Sequence, residues 1–239
     1  MIRTKIAGLE FGSKPILTVT VLDEDIDRIL SFSKKAMESG ADCVEIRVDK
    51  IKTNQEVKEL IQKADFPYIL SSRSKMVNGF FEGSEKERVE RQIVAIEAGA
   101  TIIDIELTTD SQLRDEVIRT AKNYHTPLLI GFEDMQKMPA IGKILSSLKE
   151  IEDLGADIAK FAVRTSCYEE ALDVLKVANW AKDLIDIPFA AIALGESGLF
   201  SRPLALLMGS SMTYCAIESG GPLKQLSIKQ VRNVLENLS

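Results

Sequence analysis

The sequence predicts a single (β/α)8 TIM barrel, read as one domain over residues 1–239, and three observations carry that prediction. Eight short apolar runs rich in β-branched residues alternate with longer segments of helical period, the signature of βα units around a parallel sheet. Gly40-Ala41-Asp42, Gly99-Ala100-Thr101 and Gly155-Ala156-Asp157 each lead into a strand in the same phase, so the chain repeats about every two βα units. No Pro/Gly/Ser-rich linker or composition shift divides the 239 residues, a length that suits one barrel. The alternative is an open doubly wound sheet. Eight evenly spaced units are more than such sheets usually use, and no Gly-x-Gly-x-x-Gly turn follows the first strand.

Taken in order, the strand candidates are Pro15 to Thr20, Cys43 to Val48, Pro67 to Ser72, Thr101 to Leu107, Pro127 to Phe132, Asp157 to Val163, Phe189 to Leu194 and Leu207 to Tyr214. Their near-continuous apolar character suits strands covered on both faces. Helix starts are marked by Ser84-x-x-Glu87 and Ser166-x-x-Glu169, both readable as capping boxes ahead of an amphipathic run. Gly40, Gly99 and Gly155 close the helices before the second, fourth and sixth strands. Gly209-Ser210-Ser211, near the eighth strand, lies in the region where many barrels keep a phosphate site.

Composition excludes several function classes. A net charge of −6 and a pI near 5.1 argue against a nucleic-acid surface, which needs clustered Lys and Arg. Cys43, Cys167 and Cys215 lie far apart, with no Cys-x-x-Cys pair, and form neither a disulfide framework nor a zinc ligand set. A reducing cytoplasm is the expected location. Met1 to Lys5 lacks the apolar stretch of a signal peptide, and nowhere do about 18 apolar residues run uninterrupted, so no membrane span is expected. The single histidine, His125, precedes Pro127 at the start of the fifth strand, the end of a barrel opposite to its active site.

The repeat allows residues of equal phase to be compared. Five positions after the repeat glycines stand Glu45, Asp104 and Lys160; two further on stand Arg47, Glu106 and Ala162. Residues i and i+2 of a strand share a face, so Glu45, Arg47 and Asp49 project together, as do Asp104 and Glu106. The alternate positions, including Val44, Ile46, Ile103, Ile105, Ala159 and Phe161, are apolar and should meet the helices. The charged face therefore points into the barrel, where ions are costly unless paired. One reading of the acidic pairs is a buried ion network that holds strands in register, Glu45 with Arg47 and Asp104 or Glu106 with another partner.

Lys160 stands out because its strand, Asp157 to Val163, holds no other charge after its first residue. Desolvation should push its pKa down and make a neutral amine available for Schiff-base chemistry with a carbonyl substrate. Asp49, Arg73, Glu133, Arg164 and Ser201-Arg202 fall at C-terminal strand ends, where barrel enzymes keep their sites. Several arginines converging on one mouth imply an anionic, oxygen-rich small molecule as substrate.

The segments Glu45-Ile46-Arg47-Val48-Asp49, Ser71-Ser72-Arg73-Ser74, Asp104-Ile105-Glu106-Leu107, Ala159-Lys160-Phe161-Ala162-Val163, Leu199-Phe200-Ser201-Arg202 with Met208-Gly209-Ser210, and Gln225-Leu226-Ser227-Ile228 occur in this order. Together they resemble the type I 3-dehydroquinate dehydratase family over essentially the whole chain. The resemblance implies a (β/α)8 barrel, a homodimer, no metal or organic cofactor, and loss of water from 3-dehydroquinate to give 3-dehydroshikimate in the shikimate pathway.

Carried over position by position, Lys160 is similar to the family's imine-forming lysine. Glu45, Arg47 and Arg73 correspond to contacts with the substrate ring and hydroxyls, and Arg202 to the carboxylate clamp. Gln225 corresponds to the glutamine of a closing loop, which reads Pro222-Leu223-Lys224-Gln225 here in place of the family's Pro-Gly-Gln. Three positions depart from the family pattern. Glu133 stands where the family has its catalytic histidine, Val77 where it has a loop glutamate, and Arg164 where it has a small apolar residue.

Three readings follow from these departures. In the first, Glu133 takes over proton transfer with its pKa raised by burial, tuned by Arg164 or Lys160, although a glutamate held ionised would be a competent base and a poor acid. In the second, the chain is a divergent Schiff-base lyase, such as an aldolase, acting on another keto acid. In the third, it is a binding descendant without catalysis.

Overall fold

The computed structural model describes residues 3–219 and 225–238. Two three-residue strands, β1 (Thr4–Ile6) and β2 (Leu9–Phe11), form an antiparallel hairpin through Ala7 and Gly8, both at positive φ. Eight parallel strands follow. They are β3 (Ile16–Leu22), β4 (Cys43–Arg47), β5 (Tyr68–Ser71), β6 (Ile102–Glu106), β7 (Leu128–Asp134), β8 (Ile158–Arg164), β9 (Phe189–Leu194) and β10 (Met212–Cys215). They close in the order β10-β3-β4-β5-β6-β7-β8-β9, so the expected (β/α)8 barrel is the observed fold.

Between and after the strands run α1 (Ile26–Glu38), α2 (Asn54–Lys63), α3 (Glu85–Glu97), α4 (Ser111–Tyr124), α5 (Ile141–Asp153), α6 (Tyr168–Ala181), α7 (Ser201–Leu207) and α8 (Ile228–Leu238). No helix among the described residues is long and apolar enough to cross a membrane.

Local chemistry sets these elements. Ser84 and Glu87 form the expected capping box at α3, and Thr53 with Glu56 forms another at α2. Gly40, Gly99 and Gly155 take φ of 96°, 89° and 83° just after α1, α3 and α5, a conformation that a Cβ would strain.

Three expectations need correction. Ser166 binds Glu170 and not Glu169, with its N–H and Oγ both donating to the Glu170 carboxylate (2.6 and 2.8 Å), because α6 starts one residue later, with Cys167 at its N-cap. The eighth barrel strand begins at Met212 and not at Leu207; Leu207 ends α7, and Gly209 turns the chain with φ 121°. Gly209 to Ser211 therefore precedes its strand, away from the C-terminal strand ends. Ser210 Oγ is consumed there by the backbone of Phe189, Ala191 and Met212.

Alternation along the strands separates two cores. Outward residues such as Val44, Ile46, Ile103, Ile105, Ala159 and Phe161 pack under the helices. Inward residues Ile16, Cys43, Ile69, Ile102, Leu129, Ile158, Ala190 and Met212 fill the lower barrel together with Ile6, Leu9 and Phe11, so the hairpin plugs that end. Three-residue strands are too short for periodicity to reveal, and the plug is therefore visible only in the fold. Above it the strand pairing puts Glu45, Asp104, Lys160 and Tyr214, from alternate strands β4, β6, β8 and β10, in one layer of four.

Because Phe11 is only 1% exposed inside the plug, Phe11→Ala should cost about 3–5 kcal/mol, read as a lower midpoint in urea unfolding with an unchanged slope.

Candidate active site

β8 places Lys160 by simple alternation, with Ala159, Phe161 and Val163 turned to the helices and Lys160 and Ala162 turned inward. Room for the lysine comes from Gly131 on the neighbouring strand, its register partner; a Cβ there would lie 3.0 Å from Lys160 Cε. Lys160 Nζ donates to Asp104 Oδ2 at 2.8 Å, pairs with Glu133 Oε1 at 2.9 Å and lies 3.8 Å from Glu45 Oε1. The Tyr214 ring lies beside the ammonium, 5.6 Å from Nζ to its centroid.

Arg73, just beyond β5, ties the carboxylates together. Its Nη2 donates to Asp104 Oδ2 and lies 3.5 Å from Glu45, and its Nη1 lies 2.8 Å from Glu133, an ion pair without hydrogen-bond alignment. Glu45 also accepts from Thr20 Oγ1 at 2.8 Å. All five charged side chains are at least nine-tenths buried. The buried network is therefore real, and Asp104 finds partners in Arg73 and Lys160, but the expected Glu45–Arg47 pair does not form. Glu45 meets Arg73 and Lys160 in place of Arg47, whose Nε and Nη2 each donate to Asp49 at 2.7 Å. Glu106 accepts from Ser74 and lies near Arg88, outside this cluster.

The electrostatics reverse two expectations. Burial and Arg73 both push the Lys160 amine down, but Asp104, Glu133 and Glu45 together outweigh them and hold it above its ordinary 10.5. The resting lysine is an ammonium ion. Burial likewise pushes Glu133 up, but Arg73 and Lys160 dominate and hold its carboxyl at about 2. Arg164 has no part in this; it is an exposed side chain at the cavity mouth, with no ion pair among the described residues. Asp104 differs: burial, with Glu45 and Glu133, holds its carboxyl above its ordinary value against the pull of Arg73 and Lys160.

A cavity of about 990 Å³ opens over this cluster at the C-terminal strand ends. Glu45, Arg47, Arg73, Glu133, Lys160, Arg202 and Gln225 all line it, so the structure brings every site residue named from the sequence to one cavity. Val77 and Arg164 line it as well. Arg202, at the start of α7, is 2% exposed; one Nη donates to the Tyr214 carbonyl at 3.0 Å, its Nε has no partner, and burial pushes it down to about 10. The loop segment Pro222 to Lys224 lies outside the described residues.

His125 is exposed at the C-terminus of α4, at the opposite end of the barrel, as its position before the fifth strand implied. Sequence reading assigned no site role to Asp104 or Gly131. Asp104 shares Lys160's phase in the glycine repeat, and Gly131 interrupts an otherwise apolar strand; both were available signals.

The model of the type I 3-dehydroquinase family matches residues 17–239. The chain belongs to that family. It is 32% identical over 245 aligned residues to 3-dehydroquinate dehydratase of Methanosarcina mazei, covering 98% of this chain and 99% of that protein. The Methanosarcina acetivorans enzyme of the same name is 31% identical, with the same coverage. The crystal structure of type I 3-dehydroquinate dehydratase from Clostridium difficile with covalently modified comenic acid superimposes with a TM-score of 0.92. Its identity is 25%, and the match covers 99% of this chain and 97% of that one.

Glu133 has a depressed carboxyl, so its ion pairs stabilise the fold above its ordinary 4.5, and that contribution is lost as pH falls through about 2. In Lys160→Met one of its two main cations is gone. The titration midpoint of Glu133, followed by its carboxylate infrared band, should then rise toward 4.5; an unmoved midpoint would assign the whole effect to Arg73.

Proposed function

We propose that the chain, taken as one barrel domain over residues 1–239, removes water from 3-dehydroquinate through an imine on Lys160, giving 3-dehydroshikimate in the shikimate pathway. The observation that carries this reading is the placement of one cavity over both a confined lysine and a buried guanidinium, Arg202, whose Nε is unpartnered. A ketone carbon held at Lys160 Nζ and a carboxylate held at Arg202 describe a keto acid. The covalently modified ligand in the Clostridium difficile relative supports covalent chemistry at such a site. A homodimer in the cytoplasm belongs to the same reading.

In this mechanism Arg202 binds the substrate carboxylate as a charge-assisted pair, which would also relieve the cost of its unpaired burial. Glu45, Arg47, Arg73 and Gln225 contact ring hydroxyls. Arg47 and Arg73 are already held by carboxylates, so they act mainly by fixing those carboxylates in place. The imine withdraws electrons from the adjacent carbon, and Glu133, beside Lys160, removes the proton there. A carboxylate held at about 2 is a weak base, so removal of that proton, which then passes to the departing hydroxide to release water, is expected to be slow.

A second reading is aldol-type cleavage of another keto acid on the Lys160 imine, in which Glu133 takes the proton of a substrate hydroxyl and returns it to the enamine carbon.

Borohydride treatment with 3-dehydroquinate, followed by mass spectrometry, should place a reduced adduct on Lys160; an unmodified lysine would sink both lyase readings. Formation of the product enone, followed by ultraviolet absorbance, separates the dehydratase from the aldolase. Glu133→Gln should abolish turnover and leave imine trapping intact. Glu133→His should raise turnover about 100-fold or more if the rest of the site is arranged for dehydration. Arg202→Lys should raise KM about tenfold with kcat within threefold, since a single ammonium cannot bind a carboxylate bidentately.

A further inference from the structure

Lys160 must lose a proton before it can attack a carbonyl, and the cluster contains few groups able to take it. Arg73 and Lys160 themselves are cations. Glu133 lies 2.9 Å from Nζ but is locked in its ionised form by two positive charges. Glu45 is farther, at 3.8 Å, and already accepts from Thr20. Asp104 remains, and two features of its geometry distinguish it. Its Oδ2 accepts a hydrogen bond from Lys160 Nζ at 2.8 Å, the shortest contact Nζ makes with a carboxylate among the described residues. Its Oδ1 is buried with no partner. That oxygen lies 3.7 Å from the point where a Cβ would stand on Gly131, and Lys160 Cε (3.0 Å) and Glu133 Oε1 (3.5 Å) lie near the same point, so all three border the open inner face of Gly131.

We propose that Asp104 is the catalytic proton acceptor that converts the Lys160 ammonium into the attacking amine. The inference rests on the imine reading above. Transfer of a proton from Nζ to Asp104 removes two buried charges at once, so the burial cost of both ions falls while the net charge of the cluster stays the same. Burial already favours the protonated form of this carboxyl. Ser71, its register partner on β5, presents a buried Oγ without a partner, and a hydroxyl can accept from the acid or donate to the carboxylate.

The proton count closes. Asp104 takes one Nζ proton, and the freed lone pair forms the bond to the ketone carbon. The carbonyl oxygen then takes that proton back from Asp104. A second Nζ proton follows it to the same oxygen, which leaves as water. The third stays on nitrogen in the protonated imine, with Asp104 ionised again. The charged groups facing Asp104 throughout are Lys160, Arg73, Glu45 and Glu133, with the Tyr214 phenol held protonated by burial and by the Glu45 and Asp104 charges.

The test follows the pH dependence of Lys160 reactivity in the full chain, with two carbonyl probes under cyanoborohydride: 3-dehydroquinate, and glyoxylate as a small aldehyde acid. Removing the Asp104 charge lowers the pH at which Lys160 loses its proton in either case, so the plateau decides: if Asp104 carries the proton, Asp104→Asn should slow adduct formation on Lys160 about 100-fold on the plateau for both probes, because the carbonyl oxygen loses its proton donor. If Asp104 were only an ion-pair partner, the profile would shift to lower pH with its plateau kept. A plateau within threefold of the unsubstituted protein overturns the proposal.

Should Asp104→Asn fail to fold, Asp104→Glu carries the test. It keeps a carboxyl but displaces it by one methylene, and an acceptor role predicts at least a tenfold slower reaction at an unchanged midpoint; an equal rate overturns it. Labelling by glyoxylate but not by 3-dehydroquinate in the unsubstituted protein would count against the substrate reading and leave the role of Asp104 standing.

Discussion

Two cations and three carboxylates share the interior of an apolar barrel, and the need to neutralise them governs the rest of the site. An isolated ion in this setting would be ruinous to stability, so Arg73 and Lys160 are each held by several carboxylates and not by one. Arg73 does most of the organising. A guanidinium can serve several oxygens from fixed directions, and here it touches Glu45, Asp104 and Glu133 from three different strands. Below the charged layer the hairpin plug and the apolar lower barrel keep that end of the interior dry, which strengthens every pair above it.

The same arrangement sets the charge state of Glu133, which stands where the resemblance implies a histidine. A histidine facing Lys160 would be neutral or positive and free to carry a proton. Glu133 in that place becomes another member of the ion network, held at about 2 by Arg73 and Lys160. Its charge in turn helps to hold the lysine as an ammonium ion. Glutamate and lysine thus trap each other in their charged forms. Asp104, by contrast, is held above its ordinary value by burial and its carboxylate neighbours.

Much of the fold could be read in the chain. The glycine repeat, the β-branched runs and the capping box at Ser84 are local signals with local causes, and each reappears as an element. The hairpin plug and the start of the last strand were hidden for the same reason in reverse. Three-residue strands carry no period, and Leu207 belongs to an apolar run whose helix-to-strand change depends on the turn at Gly209. The site residues were legible because alternation puts charges at positions where a barrel interior should be apolar. Their partners were not. Lys160 and Asp104 are 56 residues apart, and nothing in either strand says that closure brings them within 2.8 Å.

By itself, then, the sequence determined the barrel, the inward face of each strand and the set of polar residues gathered at its mouth, because period and alternation are properties of neighbouring residues. It also determined the family. The tertiary structure decided which charges meet and therefore which are ionised. Burial alone argues for a neutral lysine and a protonated glutamate, and only the distances to Arg73, Asp104 and Glu45 show that pairing overrides burial for both, since Coulomb attraction in a low-dielectric interior depends on separation across strands that the chain keeps far apart.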